Sequence, residues 1–538
     1  MNLRPLDLGC FVLYMVLLVG TGLFFTRRRK SLRSYLLADQ DIHWVIVAVS
    51  VLAALFSGIT YLGAPAEAYY HDLSYIWVVA SFVIATPITT LVFLPFFRGL
   101  NLYTAYEYLD RRFDLRVRRI ASALFIARVT LYMATVIYAP ALAIMEITGW
   151  PLWISVSLTG GAATLYTTFG GMKAVIWTDS LQFTILCGGI LIILGYAIAE
   201  VPGGFATAWE LAARAGRTRF LNFDIDPTVR ITFWGAILGG TCNNLVQMVT
   251  DQISVQRYLT AKSLEECQRA LWLKLGVTLP LVIVFYLAGT VLFGYYQVHP
   301  EREPVVNAAG HLVGRAEAGE QGQPAAPSGG QQNRILPFFV VRQLPSPLPG
   351  ILIAAVFGAT IATVAAGINA LATAALVDFG RAPETGRHSE AGRFRLARLL
   401  TVLFGIVATS LALGIGQLGT LVEVSVKTLG VFGGPLLGIF FLGVLSRRAN
   451  GNGALIGGVV GALAGLAVAF SARLSPISLS MMWIPVASTG VTFLLGWLVS
   501  LGFSAPGPEI LPLVFRGQPR TASRSECVAM GSEVGGGG

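Results

Sequence analysis

The sequence predicts an all-α integral membrane protein with about thirteen spanning helices. Three observations carry that prediction. Of the 538 residues, 55% are hydrophobic and only 12% charged, about half the charged share of an ordinary soluble domain. Mean hydropathy is +0.69, and uncharged apolar runs of about twenty residues, the length that crosses a bilayer, recur along the chain. The basic residues gather in alternate connections, which is how membrane proteins fix their orientation.

The expected spans cover approximately residues 6–25, 43–71, 75–97, 120–148, 151–169, 177–200, 231–254, 270–297, 348–377, 396–414, 418–446, 453–471 and 481–503. The first could pass for a signal peptide, but its apolar run is about as long as a spanning helix and no small-residue cleavage site follows, so a retained helix is expected. The second is interrupted by Gly58, Gly63 and Pro65, which free backbone carbonyls in mid-membrane; such carbonyls line a cavity, coordinate an ion or are satisfied by neighbouring helices. The seventh, with Gly235, Gly239 and Gly240 before Thr241, Asn243, Asn244, Gln247 and Asp251, is a second candidate for a broken helix. Five spans separate the two starts. Spans two to six then correspond to spans seven to eleven, and an odd number per repeat inverts the second copy in the membrane.

With the spans alternating, 26 of the 38 basic residues fall on one side, from the Arg27–Lys30 run to Arg524, with Arg257 and Lys274 counted in the connection before the eighth span. Ten lie on the other side, and Arg128 and Lys427 lie within spans. The amino terminus is expected outside and the carboxyl terminus in the cytoplasm, in a cell membrane. The net charge of +10 therefore reads as topology, not as a nucleic-acid footprint. The expected units are 1–42 (first helix and basic loop), 43–200 (repeat one), 201–230 (external loop), 231–447 (repeat two, with a mobile external loop at 298–335), 448–503 (two peripheral helices) and 504–538 (cytoplasmic tail).

Several functions lose their signatures. There is no GxxxxGK phosphate loop, and His43, His71, His299, His311 and His388 are scattered, so neither ATP-driven pumping nor zinc hydrolysis is indicated. Cys10, Cys187, Cys242, Cys267 and Cys527 show no paired spacing. No Ser/His, metal or paired-carboxylate constellation converges, and the protein is read as a non-enzyme.

Arg128 is the sharpest single signal. It lies roughly 15 Å into a spanning helix, where an unpaired cation costs at least about 2.5–3.5 kcal/mol. Glu146 lies roughly 27 Å further along the same helix and cannot be its partner there. Arg128 therefore either binds an anion or pairs with another helix; a guanidinium matches a carboxylate bidentately. Ser57, Thr60, Asn244 and Gln247 on the broken helices, and Tyr132 one turn from Arg128, are candidates to line a central cavity. Each alone also fits interhelical hydrogen bonding. Lys427 and Glu423 fit a local ion pair, and Gly457, Gly461 and Gly465 a helix-packing face.

The stretches YTTFGGMKAVIWTDSLQ (Tyr166–Gln182), TDQISVQRYLTAKS (Thr250–Ser263), ATVAAGINALATAALVDF (Ala362–Phe379) and GGPLLGIFFLGVLSRRANGNGALIG (Gly433–Gly457) resemble the sodium:solute symporter family, in order, over roughly residues 6–503. SGITYLGAPAEAYY and VIYAPALAI bring the chain closest to the branch of monocarboxylate, iodide and vitamin carriers. The resemblance implies a LeuT-like core of inverted five-helix repeats, Na+ as coupling ion and alternating access. It places a sodium site on the carbonyls of Ala53, Phe56 and Ala359 and on a hydroxyl pair that falls on Ala362 and Thr363, so that one hydroxyl is missing. A further sodium site of some members would need hydroxyls where Ala365 and Ala366 stand, together with Asp179, which makes a second sodium doubtful. Asp179 fits an ion pathway or, with Gln182, a helix N-cap. Sialic-acid carriers of the family hold the substrate carboxylate with an arginine in the helix of Arg128. Positions that hold sugar hydroxyls in other relatives are apolar here, around Val78 to Phe82. The expectation is sodium-coupled symport of a small organic anion, probed against proton coupling on the same fold and against a non-transporting sensor, for which the short tail after Ser504 leaves little room. Substrate and lipid bilayer are the expected partners, with no nucleic acid.

Overall fold

In a computed structural model of the chain, the structure describes residues 4–26, 42–56, 58–99, 104–169, 172–258, 260–306, 312–318, 323–324, 329–379, 390–474 and 476–515. Helices overlap each expected span. Among the described residues, nine are long and apolar enough to cross a membrane, or ten if a bent pair is one span.

After α1 (Pro5–Thr26) comes the bent pair, α2 (Trp44–Leu55) and α3 (Gly58–Tyr70), which meet at 57°. α4 (Ile76–Arg98), α5 (Leu115–Thr148), α6 (Leu152–Phe169) and α7 (Met172–Glu200) complete five spans. Asp114 caps α5 by accepting from the Val117 N–H, and Gly149 ends it with φ +70°, a left-handed geometry that glycine adopts without strain. The short α8 (Gly204–Arg214) lies in the connection to the second set. There α9 (Phe233–Leu245) runs into a π-helical turn, Val246–Thr250, and α10 (Gln252–Tyr258) follows. α11 (Leu264–Val298), α12 (Leu348–Asp378), α13 (Glu390–Ile415) and α14 (Leu421–Leu445) complete it. α15 (Gly451–Ala469) and α16 (Trp483–Leu501) pack on each other. Both five-span sets thus begin with a discontinuous helix.

The second discontinuity is not at its glycines. α9 passes unbroken through Gly235, Gly239 and Gly240, because these glycines serve close packing. A Cβ on Gly239 would fall on the Met482 carbonyl oxygen, and one on Gly240 would meet Ser81 Oγ at 2.6 Å. The helix ends at Asp251, whose backbone is extended (ψ 110°). Gly239→Ala should therefore lower the thermal unfolding midpoint, at a cost of about 1–3 kcal/mol. Gly490→Ala, where nothing lies within 4 Å of the added carbon, should leave it unchanged.

α12 is the central helix, buried along almost its whole length. Its run of Ala, Gly and Thr lets neighbours approach closely, and the added carbon of an alanine at Gly367 would fall on the Met133 sulfur. The face of Gly457, Gly461 and Gly465 packs on Ser488 and Thr492 as expected. Three other expectations are corrected. Asp179 is inside α7, seven residues past its start, so it is not an N-cap. Glu423 closes a capping box with Thr420, accepting from the Thr420 N–H at 3.3 Å, and forms no ion pair with Lys427 among the described residues. Arg257 and Lys274, counted with a cytoplasmic loop, are buried in α10 and α11. In the 298–335 segment, β1 (Pro304–Val306), β2 (Leu312–Gly314) and β3 (Gln323–Pro324) form an antiparallel sheet in the order β2-β1-β3, and Gln332, Asn333 and Arg334 are buried.

Candidate functional site

The discontinuities exist because two helices end where their neighbours converge. α2 stops at Phe56, whose N–H still reaches the Leu52 carbonyl at 2.9 Å. Gly58 then starts α3 so close to α12 that a Cβ would lie 2.8 Å from Thr360 Oγ1. On the other side the π-helical turn delivers Asp251, whose Oδ1 accepts from the Ile253 N–H at 3.0 Å and starts α10. Between the two lies a cavity of about 190 Å³, with further walls from α4, α5, α11, α12 and α14.

Thr60, Arg128, Tyr132, Asn244 and Gln247, proposed from the sequence, all line it; Ser57 is outside the described residues. The wall at Val78, Val79 and Phe82 is apolar, as expected. Asn244 is partly committed to scaffolding: its amide donates to Ser81 Oγ at 2.9 Å and to the Val78 carbonyl at 3.2 Å. Its neighbour Asn243, given no role from the sequence, lines the cavity with a buried Oδ1 that has no hydrogen-bond partner among the described residues.

Arg128 has a partner on another helix. Its Nη2 lies 2.9 Å from Asp251 Oδ2, with both side chains buried. The guanidinium also sits 5.7 Å from the Phe125 ring. The pair is geometrically incomplete, because Nε and Nη2 are buried without a hydrogen bond of acceptable angle. Lys274, which sequence reasoning assigned to a loop, is the second basic side chain of the cavity. It is 4% exposed and holds its ammonium 4.1 Å above the Phe82 ring, and no carboxylate lies within 4 Å among the described residues. Its signal was present but weak: a single lysine in the apolar run LWLKLGVTLPLVIV. Among the described lining residues the ionisable side chains are therefore Arg128, Lys274 and Asp251, two bases to one acid.

The residues that the family resemblance assigned to sodium divide. Ala53, Phe56 and Ala359 surround a narrow gap together with Asp179 and Gln182. Thr363 faces the cavity, to which Phe56 also belongs. Ala362 is buried in α12 and lines neither. Thr373, ten residues further along α12, spends its hydroxyl on the Asn369 carbonyl at 2.8 Å. Thr363 makes no such bond among the described residues, which leaves its oxygen for another partner. Asp179 is engaged: it accepts from Arg257 Nη2 at 2.9 Å and Ser50 Oγ at 3.0 Å, with the arginine and aspartate side chains 1% and 3% exposed. Arg257 thus ties α10 to α2 and α7. At the far end of α3, Glu67 receives both terminal nitrogens of Arg230, at 2.5 and 2.9 Å. The cavity consequently lies between two ion-pair ties. No group of three or more His, Cys, Asp or Glu side chains with metal-binding geometry occurs among the described residues.

Residues 35–461 match the model of a family described as the sodium:solute symporter family. The chain is 31% identical over 488 residues to sodium-coupled monocarboxylate transporter 2 of Bos taurus, covering 90% of this chain and 75% of the relative. It is 33% identical over 481 residues to the sodium-dependent multivitamin transporter of Oryctolagus cuniculus, covering 88% and 71%. Among solved structures, the substrate-bound outward-open state of a Na+-coupled sialic acid symporter superposes with a TM-score of 0.79 at 26% identity, covering 93% of this chain and 99% of that one.

Proposed function

Because the chain belongs to the sodium:solute symporter family and has its LeuT-like fold, we propose that it imports a small monocarboxylate together with one sodium ion by alternating access. The observation that carries the carboxylate is a cavity with two basic side chains, Arg128 and Lys274, to the single carboxylate of Asp251, set against an apolar wall that offers a sugar nothing to bond. A buried cation without a counter-ion is expensive, and a substrate carboxylate supplies that counter-ion while its organic portion meets Val78, Val79 and Phe82. The relatives named for monocarboxylates, sialic acid and vitamins support the reading.

Sodium, a hard cation that prefers several oxygens, is held in this reading by the carbonyls of Ala53, Phe56 and Ala359 and by the Thr363 hydroxyl. Asp179 already has Arg257 as its cation, and Ala365 and Ala366 carry no side-chain oxygen, so the hydroxyls that a second sodium would need are missing. One sodium and one monoanion move no net charge. The amino terminus faces outward and the membrane is the cytoplasmic one, following the basic residues that remain in loops.

Proteoliposomes test both parts. Uptake of a monocarboxylate such as pyruvate should require an inward sodium gradient and should ignore a potential imposed with potassium and valinomycin. Uptake that follows a pH gradient and is indifferent to sodium would overturn the sodium coupling; acceleration by an inside-negative potential would overturn the single ion. Thr363→Ala should raise the half-saturating sodium concentration about tenfold, as for the loss of one ligand oxygen worth roughly 1.4 kcal/mol, with little change in protein yield.

A further inference from the structure

The pair of Arg128 and Asp251 raises a question that a purely structural ion pair would not. Both side chains line the substrate cavity instead of closing a helix interface. Nη2 lies 2.9 Å from Asp251 Oδ2 without the angle of a hydrogen bond, and Nε is likewise buried without one. A guanidinium forms two parallel bonds to a well-placed carboxylate. Asp251 offers one oxygen, because the other is committed to the Ile253 N–H. Asp251 is moreover the residue at which the π-helical turn gives way to α10, and its carbonyl accepts from the N–H groups of Ser254 and Val255.

We propose that Asp251 is a tethered substitute for the substrate carboxylate, and that substrate enters by displacing it from Arg128. Building on the carboxylate reading above, this deepens it in two ways. It makes Asp251 a specificity-determining residue: a neutral analogue cannot replace the counter-ion that it removes, so it is rejected. It also couples binding to the fold, since releasing Oδ2 loosens the start of α10. That helix carries Arg257, whose bonds to Asp179 and Ser50 tie it to α7 and α2 beside the gap formed by Ala53, Phe56 and Ala359. Substrate on Arg128 thereby weakens a tie near the proposed sodium oxygens, and a ligand shifts such an equilibrium only through this kind of differential contact.

The test uses the full chain in nanodiscs at fixed sodium, with pyruvate and its neutral amide as probes, and two readouts. In binding measurements Asp251→Asn should bind pyruvate roughly tenfold more tightly, as expected for removal of a close competing charge, and should discriminate less against the amide, which the unmodified protein rejects. In hydrogen exchange of the unmodified protein, pyruvate should increase exchange over residues 251–258, and the amide should not. The second readout needs no variant, so it decides the matter even if Asp251→Asn fails to fold. Unchanged or weaker binding by a folded Asp251→Asn, or protection of 251–258 by pyruvate, overturns the displacement while leaving the carboxylate reading intact. If the unmodified protein binds neither pyruvate nor larger monocarboxylates, the carboxylate reading itself is what has failed.

Discussion

Arg128→Gln should reduce monocarboxylate uptake at least about a hundredfold, the scale of losing a charged contact in a desolvated site, and the loss should survive restoration of the fold. The single substitution leaves Asp251 buried without its cation, which costs about 3–5 kcal/mol when a buried pair is broken from one side. A fall in the thermal unfolding midpoint is therefore expected with it, and on its own would make the result ambiguous. Adding Asp251→Asn removes the stranded charge and should return most of the stability, since a buried ion pair is often replaced by uncharged groups at little net cost. If Arg128 served only to hold α5 to the second broken helix, the double variant would transport normally. If it receives substrate, the double variant is stable and inactive. Arg128→Lys should stay far below the parent, because an ammonium keeps the charge but not the two-pronged geometry.

The partner of Arg128 is not legible in the sequence. Arg128 stood out on hydropathy alone, and the choice between an anion and another helix was correctly framed; Asp251 emerges only when the π-helical turn brings it across the cavity. Lys274 was misread for a different reason. The eighth span is expected over 270–297, so a lysine four residues in looks like a boundary residue. α11 actually begins at Leu264, which puts Lys274 about 15 Å into the helix. Thr60, Tyr132, Asn244 and Gln247 were legible because broken helices and one-turn spacing are local properties. The glycines of α9 misled because the sequence does not say whether a glycine is there to break a helix or to admit Met482. Asp179 illustrates the same limit, since a carboxylate followed by glutamine three residues on reads as a cap until the helix is seen to start earlier.

Arg257→Met should be the most destabilising substitution of a charged residue outside the cavity. Its guanidinium and the Asp179 carboxylate are almost wholly enclosed, and removing the cation alone strands an anion that also holds Ser50; about 3–5 kcal/mol is expected, read as a lower unfolding midpoint and reduced yield of monodisperse protein. The double variant Arg257→Met with Asp179→Leu supplies the sharper comparison. It leaves no buried charge, so most of the lost stability should return. If Asp179 were a required sodium ligand, this stable double variant would lose sodium-dependent binding altogether. In the one-sodium reading its sodium affinity in a binding assay should stay within about threefold of the parent, a difference of roughly 0.7 kcal/mol, because the oxygens of Ala53, Phe56, Ala359 and Thr363 are untouched. Transport should nonetheless slow. Arg257 is the tie between α10 and both α7 and α2, the helix that bears the Ala53 and Phe56 oxygens at its end, and a carrier that cannot re-form it binds its ion without being able to close behind it. Sodium binding and turnover would then separate in one variant, which is the behaviour expected of a gate and not of a ligand.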